Sequence, residues 1–354
     1  MTDFPTGNGV VVDKCAARVV IDRDIRDSAG DRWYWRIRLK ASARQSIHVA
    51  MARPNLVGQF GPWRKGRKEV GWLSAHPVPD EGFTVDVRPG ETVDLCATIP
   101  YGYENYTYFA RRLGNAMRWS SLARTASGRT SVVGTSYQSN SRPEQRTVLL
   151  TARHHACEAM ASYVLEGAIL AFLAMQASGH PATQETKLLA VPFVDLEGVE
   201  RGDQGKARHP WDHNRDYGRQ GSRYRSTAAL RDLIESSISP LFALDLHTPG
   251  LRGSIEERPY VVTSGVGDHS GAKALAAALT PDTDLLRLSH RWNQPEAVGQ
   301  RGCAAWLRSL PRTRVALTIE YPNAVVHGRP VSPVHARQYG AGLLHALLSV
   351  ADES

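Results

Sequence analysis

A change of rhythm after Ser141-Arg142-Pro143 constrains this chain more than any other feature. Before it, apolar residues recur at alternate positions in short runs; after it, strand-like runs alternate with longer helical stretches. In Arg32–Lys40, Trp33, Trp35, Ile37 and Leu39 fall on one face. Arg32, Tyr34, Arg36, Arg38 and Lys40 fall on the other, the period of a half-buried strand. Ser46–Ala52, Glu69–Ser74, Phe83–Val87 and Val93–Ile99 read the same way, with turns such as Arg88-Pro89-Gly90 between them. This spacing predicts a small antiparallel β-sandwich domain over 1–125, with Trp33 and Trp35 in its core.

Residues 126–354 read differently. A strand at Thr147–Ala152 leads into a helix from about Glu158 that stops at Gly179-His180-Pro181. Further strands fall at Lys187–Val194, Leu241–His247, Tyr260–Thr263 and Arg314–Tyr321, and further helices at Thr227–Ser239, Ser270–Leu279 and Pro333–Val350. Strands alternating with helices predict an α/β fold: a mixed, largely parallel sheet flanked by helices. In such sheets functional groups gather where strands end.

With 354 residues, 42% of them hydrophobic, the chain can bury a sizeable core and is not disordered. Cys15, Cys96, Cys157 and Cys303 are scattered without a CxxC pair, and Met1–Asn8 has no basic segment followed by an apolar run. Ala159–Ala177 approaches a bilayer's length but is interrupted by Ser162, Glu166 and Gln176, and reads as a buried helix. A cytoplasmic protein is the expectation. The formal charge is +8, from 43 Lys and Arg against 35 Asp and Glu. Residues 1–125 hold 19 of the basic and 13 of the acidic groups, so the excess belongs mostly to the sandwich, densest at Arg64-Lys65-Gly66-Arg67-Lys68. That pattern suits a docking surface for an acidic protein or tail; neither nucleic acid nor membrane is the expected partner.

Three strand ends deliver metal-ligand residue types. Thr147–Ala152 runs into Arg153-His154-His155-Ala156-Cys157-Glu158, Leu241–Leu246 into His247, and Arg314–Ile319 into Glu320. His155 and Glu158 are three apart at a strand-to-helix junction, so one turn can aim imidazole and carboxylate at the same point. A third ligand from a distant strand makes the three-ligand, open site of catalytic zinc, for which His₂Glu is a known set. HxxE alone arises often by chance; the three strand-terminal features together are much more specific. His154 and His155 point to opposite sides of an extended chain, so at most one is a direct ligand; His155, with Glu at i+3, is favoured. Cys157 is expected to turn into the core, and His213 to face away from the site.

The order His155-x-x-Glu158, Asp212-His213-Asn214-Arg215, Asp245-Leu246-His247 and Thr318-Ile319-Glu320 resembles the zinc carboxypeptidase family, most of all its cytosolic branch, whose members carry a β-sandwich ahead of the catalytic domain. Pro100-Tyr101-Gly102-Tyr103 is similar to the segment that closes that sandwich. The resemblance implies one Zn²⁺ per chain, held by His155, Glu158 and His247. It implies that Asp212 orients a zinc histidine, that Asn214 and Arg215 grip the substrate's terminal carboxylate, and that Glu320 is the general base activating a zinc-bound water. A further cation should polarise the scissile carbonyl; Arg208 is expected, with Lys206 as the alternative, because the family's spacing here is not kept. The chain departs from the family elsewhere too. Val194-Asp195-Leu196-Glu197-Gly198 replaces the usual Asn-Pro-Asp-Gly run, and no tyrosine lies between Tyr260 and Tyr321.

The expected activity is therefore hydrolysis of a C-terminal peptide or isopeptide bond. The basic loop 201–225, with Arg201, Lys206, Arg208, Arg215, Arg219, Arg223 and Arg225, would suit acidic C-terminal residues. One alternative is a zinc amidohydrolase acting on N-acyl amino acids or cell-wall-type peptides. Another is a basic protein-binding module with an idle catalytic domain.

Overall fold

The computed structural model describes all residues except 31, 67, 68, 70, 75–81, 137–144, 219, 252–256, 265–269, 280–288, 294–300 and 354. The first eight strands are β1 (Val10–Cys15), β2 (Arg18–Asp22), β3 (Arg36–Lys40), β4 (Gln45–Met51), β5 (Trp63–Gly66), β6 (Leu73–Ser74), β7 (Phe83–Val87) and β8 (Thr92–Cys96). They form two four-stranded sheets, ordered β1-β2-β4-β7 and β3-β8-β5-β6. Pairing is antiparallel except between β2 and β4, whose connection crosses through β3 in the other sheet. Trp35, Ile37, Val49, Val85, Val87 and Leu95 fill the space between them, as the alternation in the sequence requires.

Next come α1 (Tyr103–Leu113), β9 (Met117–Arg124), β10 (Thr130–Ser136), β11 (Arg146–Ala152), α2 (Ala159–Ala177), α3 (Pro181–Gln184), β12 (Thr186–Val191) and α4 (Leu196–Arg201). The rest are α5 (Arg225–Glu235), β13 (Leu241–His247), β14 (Tyr260–Ser264), α6 (Ser270–Ala278), β15 (Ser289–Asn293), α7 (Cys303–Arg308), β16 (Thr313–Glu320), β17 (Val325–Val326), β18 (Arg329–Pro330) and α8 (Pro333–Asp352). An eight-stranded sheet runs β15-β14-β16-β13-β11-β12-β10-β9. Its centre, β16-β13-β11-β12, is parallel, while β9, β10 and the β14–β16 pair are antiparallel. The mixed, largely parallel sheet flanked by helices is thus present.

The expected boundary at 125/126 falls inside the β9–β10 hairpin, whose two strands pair along their whole length inside the large sheet. The last strand of the two four-stranded sheets is β8, and α1 follows it.

Side chains alternate across the large sheet. Val148, Leu150, Leu244 and Leu246 face α2, α6 and α8. Leu149, Leu241 and Ala243 face α5 and α7 on the other side. By length and composition α2 could cross a membrane; here every residue from Ala159 to Ile169 is buried. Its Glu166 carboxylate accepts from Tyr101 Oη and Arg337 Nε, both at 2.7 Å. α2 and α8 cross so tightly that a Cβ on Gly167 would stand 2.0 Å from the Arg337 carbonyl oxygen, and one on Gly340 1.9 Å from that of Val164. This packing fixes the start of α2, where Glu158 lies.

Candidate metal centre

At the end of β11 the chain turns through Arg153, which takes a left-handed φ of 61°. That conformation is strained for a non-glycine residue, and the buried guanidinium holds it by donating to the carbonyls of Tyr101 and Ala156. The turn sets His155 and Glu158 side by side at the head of α2. Parallel register places Thr151 beside Asp245 and His247 beside Glu320. The ends of β11, β13 and β16 therefore meet at one point.

The three expected ligands converge there. His155 Nδ1 lies 2.8 Å from Glu158 Oε1, His247 Nδ1 lies 2.7 Å from Glu158 Oε2, and the two Nδ1 atoms are 3.2 Å apart. All three residues are buried. Burial alone would push the Glu158 carboxyl up, but the two imidazoles and Lys206 hold it well below its usual range. His247 is pulled the other way: Asp245 and Glu158 outweigh burial and raise it. Buried carboxylates around paired imidazole nitrogens make a place that demands positive charge. Two imidazoles and a carboxylate are a donor set suited to zinc, so the residues fit a metal ion.

Glu320 is 8% exposed, and its Oε2 has no hydrogen-bond partner among the described residues. Burial, reinforced by nearby Glu158 and opposed by Lys206, raises its carboxyl. Asp212 Oδ2 lies 3.6 Å from His155 Nε2 and accepts from the Ala207 amide at 2.9 Å. Burial opposes its charge, but His155 and Arg215 hold its carboxyl low.

The Arg208 guanidinium lies 3.0–3.2 Å from the carboxylates of Asp27, Asp195 and Asp203. Lys206 lies beside the cluster, with Nζ 3.5 Å from Glu158 Oε1. Gly205 makes this approach possible, because it takes φ +76° and a Cβ there would stand 2.2 Å from the Ala156 amide nitrogen. Asn214 lies against His247. Its Nδ2 is 3.2 Å from His247 Nε2, and its Oδ1 accepts from the Cys303 amide at 2.8 Å. Arg215 donates to the Asn214 carbonyl at 2.8 Å and joins no ion pair among the described residues.

His213 stacks on Tyr224 with ring centroids 3.7 Å apart, turned toward Asp195. Cys157 is buried, and burial pushes its thiol up. The residue whose importance sequence reasoning missed is Asp245. It shares a strand face with His247, two residues on, and its Oδ2 lies 2.9 Å from His247 Nε2. Asp-x-His on a strand was the available signal.

No family model matches the chain, and neither does any curated protein. Solved structures do match over its full length. The metallo-carboxypeptidase from Burkholderia cenocepacia superposes with a TM-score of 0.78 at 16% identity, covering 100% of this chain and 98% of that one. A putative carboxypeptidase A from Shewanella denitrificans gives 0.79 at 16% identity, covering 100% and 98%. The metallo-carboxypeptidase from Pseudomonas aeruginosa, in complex with (2-guanidinoethylmercapto)succinic acid, gives 0.78 at 15%, covering 100% and 99%. From the paired four-stranded sheets to the eight-stranded sheet, this chain has the fold of the metallo-carboxypeptidases.

Proposed function

We propose that this chain is a zinc-dependent carboxypeptidase, acting on the C-terminal bond of a peptide or protein tail. The observation that carries the reading is the meeting of His155, Glu158 and His247 at the ends of β11 and β13, with the Glu320 carboxylate, whose Oε2 has no partner among the described residues, at the end of the neighbouring β16. Zinc bound by these three would polarise a carbonyl and bring the pKa of a water to about 7. Glu320, whose Oε2 has no competing hydrogen bond among the described residues, takes the water's proton on Oε2 and passes it to the leaving nitrogen. Lys206 offers its ammonium against the negative charge that develops on the scissile carbonyl oxygen. Arg215, which has no carboxylate partner among the described residues, presents its guanidinium to the terminal carboxylate. Asp212 lies beside His155, and the Asn214 amide packs against the His247 ring. Lys206 and Arg215 also support a preference for acidic terminal residues, and the cytosolic-branch assignment rests on the sequence motifs. A panel of peptides differing only in the last residue, each with a free or amidated C-terminus, tests this. Release from free termini alone is expected, fastest for Glu or Asp. Cleavage of N-acyl amino acids with none of the peptides would establish the amidohydrolase alternative instead.

A further inference from the structure

We propose that His154 is a positioning residue for the metal site, acting through Asp245 to fix which nitrogen of His247 carries the proton and where its ring points. The inference rests on the metal-site reading above and concerns residues outside the ligand set.

Asp245 Oδ2 meets His247 Nε2 at 2.9 Å. An ionised carboxylate only accepts, so Nε2 bears the proton and the Nδ1 lone pair is left facing His155 and Glu158. Asp245 can impose this only if it is itself held. Its Oδ1 accepts from Thr151 Oγ1 at 2.7 Å, across the β11–β13 register, and lies 2.8 Å from His154 Nδ1. The other nitrogen of that ring, Nε2, lies 2.7 Å from Tyr217 Oη. The His154 imidazole therefore spans the two groups, with Nδ1 in close polar contact with Asp245 but outside hydrogen-bond alignment, and Nε2 bonded to the tyrosine hydroxyl. The His154 and His247 rings are nearly parallel, with centroids 5.8 Å apart, and Asp245 contacts both. Every member of the chain is at most 1% exposed, so water does not compete for these bonds.

His154, Asp245 and Cys303 also lie close enough together to suggest a second metal site. The partners of these groups argue against it. Thr151 donates to Asp245, Tyr217 occupies His154 Nε2, and burial holds the Cys303 thiol in its protonated form.

The test compares full-length wild type with His154→Leu, His154→Gln and Tyr217→Phe. Zinc affinity is measured by chelator competition, metal stoichiometry by elemental analysis, and the site's geometry by the absorption spectrum of the cobalt form. His154→Leu is expected to bind one ion about 10–100-fold more weakly, with a shifted cobalt spectrum. His154→Gln, which keeps an N–H for Asp245, should recover most of the loss. Tyr217→Phe removes a single hydroxyl and should weaken binding several-fold, a result readable even if His154→Leu does not fold. Unchanged affinity and spectrum in His154→Leu, or in Tyr217→Phe where the leucine variant is unfolded, overturn the inference while leaving the metal-site reading intact. Two ions in wild type, one of them lost with His154, would make His154 a ligand and overturn it as well. A wild type that binds no metal removes both.

Discussion

Lys206 and Arg208 are two residues apart in the loop after α4, yet their surroundings differ. Arg208 is enclosed by three carboxylates, whereas Lys206 touches Glu158 and is a third exposed. Lys206→Ala should lower kcat on a peptide substrate by about 10²–10³ with little change in melting temperature. Arg208→Ala leaves buried carboxylates uncompensated and should cost about 3–5 kcal/mol of stability. Steady-state kinetics and thermal melts separate the two, and the reverse assignment of effects would contradict the geometry. His213 supplies a pH test. Burial pushes its imidazole down to about 4, and Asp195 only partly offsets this. Because the folded value lies below the unfolded value of about 6.5, the unfolded chain binds the extra proton between them. This group's contribution is complete above that unfolded value and is lost as pH falls toward 4, by about 2 kcal/mol at pH 5. His213→Phe should keep the stack on Tyr224 and flatten that slope. Urea unfolding of metal-free protein at pH 7 and pH 5 would show it, and equal slopes in variant and wild type would refute it.

Elements carry the site through a few close contacts. The α2–α8 crossing leaves no room for side chains at Gly167 and Gly340. Gly167→Ala must push α8 away and should cost about 1–3 kcal/mol or more. An unchanged melting temperature would mean that the crossing is looser than described. The strands that bear the site residues were legible because β11, β13 and β16 each hold a short apolar stretch that runs into polar chemistry. α1 was not legible. Tyr103, Tyr106, Phe109, Ala110 and Leu113 do recur at helical spacing on its core face, but the stretch was read with the strand-like runs before it, and its first amide is satisfied by Glu200, 97 residues away. Residues of β9 fell on the sandwich side of the expected boundary and those of β10 on the other, because nothing local joins them to the large sheet; pairing of β10 with β12 does. The choice between Lys206 and Arg208 depended on Asp27, whose carboxylate arrives from the other end of the chain.

At the scale of the molecule, the first 35 residues build the loop that brings Lys206 to Glu158. Thr6 donates its amide to the Glu200 carbonyl, Asn8 Nδ2 donates to Gly202 O, and Gln204 Nε2 donates to Tyr34 O. Asp27 accepts from the amides of Gln204 and Gly205 at 3.0 and 2.8 Å. The two-sheet unit is therefore part of the site's scaffold, beyond any docking role for its basic surface. Part of that surface charge is already neutralised, since Arg36 and Arg38 share Asp94. The central claim is that His155, Glu158 and His247 hold a metal ion and that Glu320 works beside it without being needed to bind it. Metal content and peptide hydrolysis, measured together on wild type and Glu320→Gln, test this most directly. About one zinc per chain is expected in both, with hydrolysis falling by about 10²–10⁴ only in the variant. A wild type without metal, or a Glu320→Gln that still cleaves at the wild-type rate, would contradict it.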